Sequence, residues 1–325
     1  MKLDSSKIKL FSTIGPRATF GMTCLELIKE DEKLMLITAD VSTSAGLDRY
    51  KKKYNDNYID VGIAEQNMIG MATGLSSEGY NVFTTTFSPF QTLRCCEQIK
   101  VNLGYMKNKV IMVGLASGIV LGTLGYTHCS IEDISVMRSI PNITVINPAD
   151  CLEVYKAAFA LLKYDKPAYL RLTGTTNSPQ VYNDDYNFEI GKSIVLKKGS
   201  MGTIFCTGSM VHPSLLAAHK LYLKKKIDLQ VVNVHTIKPL DVMEITSHIN
   251  SSKKIFTIEE HSIIGGLGSA IAEVNCSLLN PVNQTFIGLP DHYGEGGEYE
   301  DLKVRYGLTE DSIYQKVCEV FKPTI

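Results

Sequence analysis

Short apolar runs alternate with longer mixed stretches through the first half of the chain. Val82-Phe83-Thr84-Thr85-Thr86-Phe87 is rich in β-branched and aromatic residues, as strands are. Shorter apolar runs at 34–37, 58–61, 110–113, 143–146 and 167–172 read as further strands. The stretches between them, at 17–27, after Gly62, at 90–103, 131–138 and 152–162, read as helices. Such alternation predicts a mostly parallel, doubly wound sheet. From 173 to 189 the chain turns polar and irregular, with Pro179 and Asn183-Asp184-Asp185. A second alternation follows, with strands at 202–206, 229–234 and 254–259 and helices at 213–223 and 267–275. The pattern predicts an α/β fold of two consecutive doubly wound domains, 1–180 and 190–325, joined by a linker at 181–189.

The uncharged run 110–127 carries Gly114, Gly118 and Gly122, a small-residue repeat seen on membrane-helix faces. It is barely long enough to span a bilayer. It divides more naturally into a buried strand and a glycine-rich loop leading to Tyr126-Thr127-His128.

With 325 residues there is room for two cores, and 44% hydrophobic with 21% charged residues is ordinary for a globular protein. A formal net charge of −1 gives no electrostatic reason to expect nucleic acid or an anionic membrane as partner. Eight cysteines without a Cys-x-x-Cys or a zinc-like cluster predict free thiols in a reducing compartment. The first residues lack the apolar core of a signal peptide, so a cytoplasmic location is expected.

Candidate chemistry centres on Tyr58-Ile59-Asp60-Val61-Gly62-Ile63-Ala64-Glu65-Gln66-Asn67-Met68, a strand that turns at Gly62 into a helix. Glu65 falls in that helix's first turn, where a negative charge is favourable for purely structural reasons. Gly265-Gly266-Leu267-Gly268-Ser269 lacks the Gly-x-Gly-x-x-Gly spacing and reads as a structural turn. Arg17, Asp40, Ser44, Phe87, Phe90, Arg94 and His128 are individually unremarkable, with core packing and helix capping as their ordinary explanations.

Three segments carry more information together. They are Asp60-Val61-Gly62-Ile63-Ala64-Glu65-Gln66-Asn67, Thr86-Phe87-Ser88-Pro89-Phe90 through Arg94-Cys95-Cys96-Glu97-Gln98-Ile99, and Thr127-His128-Cys129-Ser130-Ile131-Glu132-Asp133. With Pro148-Ala149-Asp150, Ile237-Lys238-Pro239-Leu240-Asp241 and Glu259-Glu260-His261, they closely resemble the transketolase family of thiamine-diphosphate enzymes. The resemblance runs from about residue 13 onward. It implies a pyrimidine-binding domain followed by a transketolase C-terminal domain, and a two-carbon ketol transfer between sugars.

By the same resemblance, Glu65 is the carboxyl group at N1′ of the aminopyrimidine, with Phe87, Phe90 and Arg94 as further cofactor contacts. His128 stands over the reacting carbon, while Arg17 and Ser44 match phosphate-contacting positions. The implied cofactors are thiamine diphosphate and Mg2+, the metal held mainly by a partner. No Gly-Asp-Gly…Asn motif occurs here. The implied partner is therefore an N-terminal subunit carrying the diphosphate-binding domain, in an α2β2 heterotetramer.

Three positions depart from the family pattern. Leu124 replaces an acidic residue, Ala116 a polar one and Gly174 an arginine, which points to an unusual sugar substrate. Within the family, the alternatives are a subunit like 1-deoxyxylulose-5-phosphate synthase or a 2-oxo acid dehydrogenase, using a 2-oxo acid donor. A non-catalytic scaffolding subunit is the alternative of another class. Retention of Glu65 argues against it, because an unpartnered buried carboxyl group is costly.

Overall fold

A computed structural model describes residues 3–322. Strands β1 (Leu34–Thr38), β2 (Tyr58–Asp60), β3 (Asn81–Phe87), β4 (Val110–Leu115), β5 (Thr144–Ile146) and β6 (Ala168–Arg171) precede an irregular segment. Strands β7 (Ile194–Lys197), β8 (Gly202–Cys206), β9 (Leu229–Asn233), β10 (Thr236–Lys238), β11 (Ile255–Ser262) and β12 (Gln284–Leu289) follow it. The first sheet has the order β10-β5-β6-β4-β3-β1-β2 and the second β12-β11-β8-β9-β7. Among the described strands, only β10 and β7 run antiparallel to their neighbours. The fold is two α/β domains with mostly parallel sheets.

Both faces of the first sheet are covered, which explains why its strands read as continuous apolar runs. On β4, Ile111 and Val113 pack with Phe20, Leu27 and Leu161 on one face. Val110 and Met112 pack with Met68, Ile69, Ile134 and Met137 on the other. The short β10 comes from the second half of the sequence yet closes the edge of the first sheet beside β5. The two halves are thus tied by backbone hydrogen bonds.

Several elements differ from expectation. The helix expected at 17–27 starts at Ser5 and runs to Glu30, opened by the Asp4 carboxylate accepting the Lys7 N–H at 2.8 Å. It breaks at Gly15, whose φ of 81° sets the chain for Pro16. A Cβ there would lie 2.5 Å from the Thr175 carbonyl oxygen, so the kink also needs glycine for space. The single helix expected at 90–103 is instead Ser88–Gln91, Cys96–Gln98 and a π-helical stretch Ile99–Tyr105. Local side-chain bonds accompany the break: Thr92 Oγ1 donates to the Ser88 carbonyl, and Cys95 Sγ to that of Phe90. Lys51, Lys52 and Lys53 are the exposed end of a short helix, Asp48–Lys53.

The uncharged 110–127 run is β4 followed by a loop, and no helix among the described residues is long and apolar enough to cross a membrane. Gly266 and Gly268 flank Leu267 at the start of the helix Leu267–Cys276. The buried Glu259 carboxylate accepts the N–H groups of Leu267 and Gly268 at 2.7 and 2.8 Å. That helix terminus therefore already holds an anion from its own chain.

Candidate active site

Open parallel sheets gather ligands at the carboxyl ends of their strands. β1 leads into Asp40 and Ser44, β2 into Glu65, β3 ends on Phe87, and β4 leads into the loop that carries His128. Every sequence candidate near these strands leaves the same edge of the first sheet. The Asp60 carboxylate ties two of the loops together, accepting the Asp40 N–H at 2.9 Å and the Gly62 N–H at 3.1 Å.

Glu65 is the first residue of the helix Glu65–Ser77 and is 4% exposed. Its Oε1 accepts from Arg94 Nη1 at 2.6 Å. The Arg94 guanidinium carbon lies 3.9 Å from the centroid of the Phe90 ring. Gln66 Nε2 donates to the Arg94 carbonyl at 3.0 Å, fixing that backbone to the Glu65 helix. Phe90 meets His128 edge-on at 5.2 Å between centroids, and Phe87 lies 6.2 Å from His128 and 6.3 Å from Phe90. Thr127 Oγ1 and His128 Nδ1 are 3.0 Å apart. Glu65, Arg94, Phe90, Phe87 and His128 thus form one connected group.

Among the described residues, Arg17 and Ser44 share no hydrogen bond or ion pair with that group, but the backbone segments that carry them meet. The loop after Ser44 lies against the start of the helix after the Gly15 kink. A Cβ on Gly46 would sit 3.0 Å from Ala18 Cα and 3.3 Å from the Arg17 carbonyl. Partial burial lowers the Arg17 pKa, and no carboxylate among the described residues lies within ion-pair distance of it. A half-buried, unneutralised guanidinium is suited to an anionic ligand.

A buried network beneath the site was not anticipated. Arg171 lies fully buried at the end of β6, with its Nε 2.7 Å from Asp133 Oδ2 and its Nη2 3.2 Å from Asp133 Oδ1. Tyr169 donates to the same Oδ2 at 2.7 Å and also reaches Ser88 Oγ at 3.1 Å, between Phe87 and Phe90. Arg171 Nη2 also bonds the Glu260 carbonyl at 3.0 Å. Arg171 is therefore bound inward and cannot serve as a substrate cation. An arginine closing the apolar run Ala168-Tyr169-Leu170 was the available signal for a buried ion pair.

The second domain also holds the His128 loop. Gly297 donates its N–H to the Gly122 carbonyl at 3.0 Å, and the Tyr126 and Tyr306 hydroxyls are 2.7 Å apart. The fully buried Glu260 accepts from Ile119 N–H, Ser209 and Tyr299, and burial pushes its pKa up. Leu124 is exposed, while Ala116 is buried with a φ of 52°. Gly174 has a φ of 111°, which a side chain rarely adopts. Among the described residues, no group of three or more His, Cys, Asp or Glu is placed to hold a metal ion.

Residues 12–176 match the transketolase pyrimidine-binding domain, and residues 191–313 the transketolase C-terminal domain. The chain belongs to the transketolase family. Among its transketolase relatives is the 6-deoxy-6-sulfo-D-fructose transketolase subunit SqwH of a Clostridium species (strain MSTE9), 38% identical over 94% of each chain. Another is an apulose-4-phosphate transketolase subunit of Phocaeicola vulgatus, 35% identical over 95% of this chain and 98% of that one. A solved structure described as a split gene transketolase, inactive beta4 tetramer, matches with a TM-score of 0.85 at 33% identity. It covers 94% of this chain and 97% of the other.

Transketolases in general depend on thiamine diphosphate, and the residues present fit the cofactor's aminopyrimidine. The site offers a buried carboxyl group beside the faces and edges of two phenylalanines, which suits a flat aromatic ring with polar nitrogens.

Proposed function

We propose that the chain is the catalytic half of a split, transketolase-type transferase (EC 2.2.1) that moves a two-carbon ketol unit between sugars. The observation that carries this reading is the buried Glu65 carboxylate in one connected group with Phe87, Phe90 and His128. Thiamine diphosphate, when bound, supplies the nucleophilic carbon that this chemistry requires. Glu65 holds a proton at N1′ of the aminopyrimidine, a task suited to a carboxyl group shielded from water. Phe87 and Phe90 wall the ring and keep water away. His128 donates to the substrate oxygen as negative charge develops there.

Arg17 and Ser44 grip the anionic end of the sugar. Relatives named for a sulfonated ketose and for apulose 4-phosphate support a non-standard substrate that keeps a terminal anion. The replacements Leu124, Ala116 and Gly174 favour the non-standard substrate but not its anion, since a carboxylate, a polar group and a cation of the family pattern are lost. The diphosphate and its Mg2+ fall to an N-terminal partner subunit, in an α2β2 assembly working in the cytoplasm. The split-gene relative described as an inactive beta4 tetramer supports dependence on a partner. All eight cysteines are free thiols, in keeping with a reducing compartment.

Calorimetric titration tests the assembly. The purified chain should bind thiamine diphosphate with magnesium weakly, and the complex with its partner should bind tightly and transfer ketol units. Tight magnesium-dependent binding by the chain alone would overturn partner dependence. Donor use confined to 2-oxo acids would overturn ketol transfer.

A further inference from the structure

We propose that Arg94 is a stand-in for the cofactor's aminopyrimidine: its guanidinium takes the Glu65 carboxylate and the Phe90 face, the two surfaces the ring needs, and swings out when the cofactor enters. The inference rests on the reading of Glu65 as the partner of N1′. It goes further by giving Arg94 a part in cofactor entry, as the group the cofactor displaces.

Two contacts define the place. The guanidinium is a planar cation whose Nη1 lies 2.6 Å from Glu65 Oε1 and whose central carbon lies 3.9 Å from the Phe90 centroid. An aminopyrimidine carrying a proton at N1′ is likewise a planar cation with an N–H donor at its edge. Recognised through the Glu65 carboxylate and a phenylalanine wall, it needs the same two surfaces. Guanidinium is the side chain best matched to both, since it stacks on aromatic faces and donates in its own plane.

Burial shows why the place needs a tenant and how the tenant leaves. The Glu65 side chain is 5% exposed and the Arg94 side chain 41%. A carboxylate that buried is costly without a donor, and Arg94 supplies one until a ligand does. The Arg94 backbone is pinned by Gln66 Nε2 and by its own N–H bonding the Pro89 carbonyl at 3.2 Å. The side chain can therefore rotate toward solvent with no change in the strand or helix beneath it.

The test is calorimetric titration of the purified chain with 4-amino-5-hydroxymethyl-2-methylpyrimidine, which represents the cofactor's pyrimidine half. Arg94→Ala should bind it about tenfold more tightly than wild type, the scale expected for removing one half-exposed ion pair with its cation–π contact. Arg94→Met, which keeps the apolar stem, should show the same gain, and Arg94→Lys a smaller one. Millimolar guanidinium should compete with the pyrimidine in Arg94→Ala and leave wild type unaffected. Equal or weaker binding by both Arg94→Ala and Arg94→Met would overturn the stand-in and make Arg94 a group that holds the ring directly. Absence of binding in every form would overturn the underlying reading of Glu65 and Phe90 as the pyrimidine site.

Discussion

Replacing Arg171 with Met tests whether the buried network holds the site from below. Asp133 Oδ2 accepts from Arg171 Nε and Tyr169 OH, each at 2.7 Å, and Oδ1 accepts from Arg171 Nη2 at 3.2 Å. Both side chains of the ion pair are fully buried. Methionine keeps the unbranched stem but leaves a carboxylate with one hydroxyl donor and no cation. Breaking one side of such a pair costs about 3–5 kcal/mol, a large share of the roughly 5–15 kcal/mol that holds a domain together. Adding Asp133→Leu to Arg171→Met should recover part of the loss, because no charge is then left buried. The assay is urea unfolding followed by circular dichroism at pH 7. A loss below about 1 kcal/mol at pH 7 would refute the reasoning.

Three further outcomes are expected. Arg17→Gln should raise KM for a ketose with a terminal phosphate or sulfonate about ten- to a hundredfold, from the loss of a charge-assisted contact of roughly 1.5–3 kcal/mol; kcat should change little in steady-state kinetics. Gly174→Arg should not improve that KM and should cost on the order of 1–3 kcal/mol in urea unfolding, because its φ of 111° is strained for any side chain. Burial pushes the Glu259 pKa up to about 7 from 4.5, so its favourable contribution is complete below pH 4.5 and is lost as pH rises through 7. Wild type should therefore lose stability relative to Glu259→Gln across that window, as read from paired urea titrations.

Much of the architecture was legible in the chain. The strands of the first sheet are buried on both faces, so runs such as Val110-Ile111-Met112-Val113 announce themselves without alternation. The group around Glu65 was legible through its motifs, and the fold brings five of the eight site candidates into contact. Other features could not be read locally. Strand β10 has three residues and gains its meaning from a partner strand some ninety positions earlier. The helix from Ser5 is polar at its start and broken by Gly15, so its pattern shows only after the kink. The 90–103 stretch has helical composition, yet side-chain to backbone bonds split it. The second domain's hold on the His128 loop depends on Tyr306 and Gly297, which no spacing rule connects to Tyr126 and Gly122.

The central claim is that Glu65 handles the proton at N1′, and exchange of the cofactor's C2 hydrogen measures this most directly. In the complex reconstituted with thiamine diphosphate, magnesium and the partner subunit, Glu65→Gln should assemble as wild type does. It should exchange that hydrogen for deuterium about a hundred- to ten-thousandfold more slowly, the range of a general acid–base contribution. Exchange at the wild-type rate in a fully assembled Glu65→Gln complex would contradict the account.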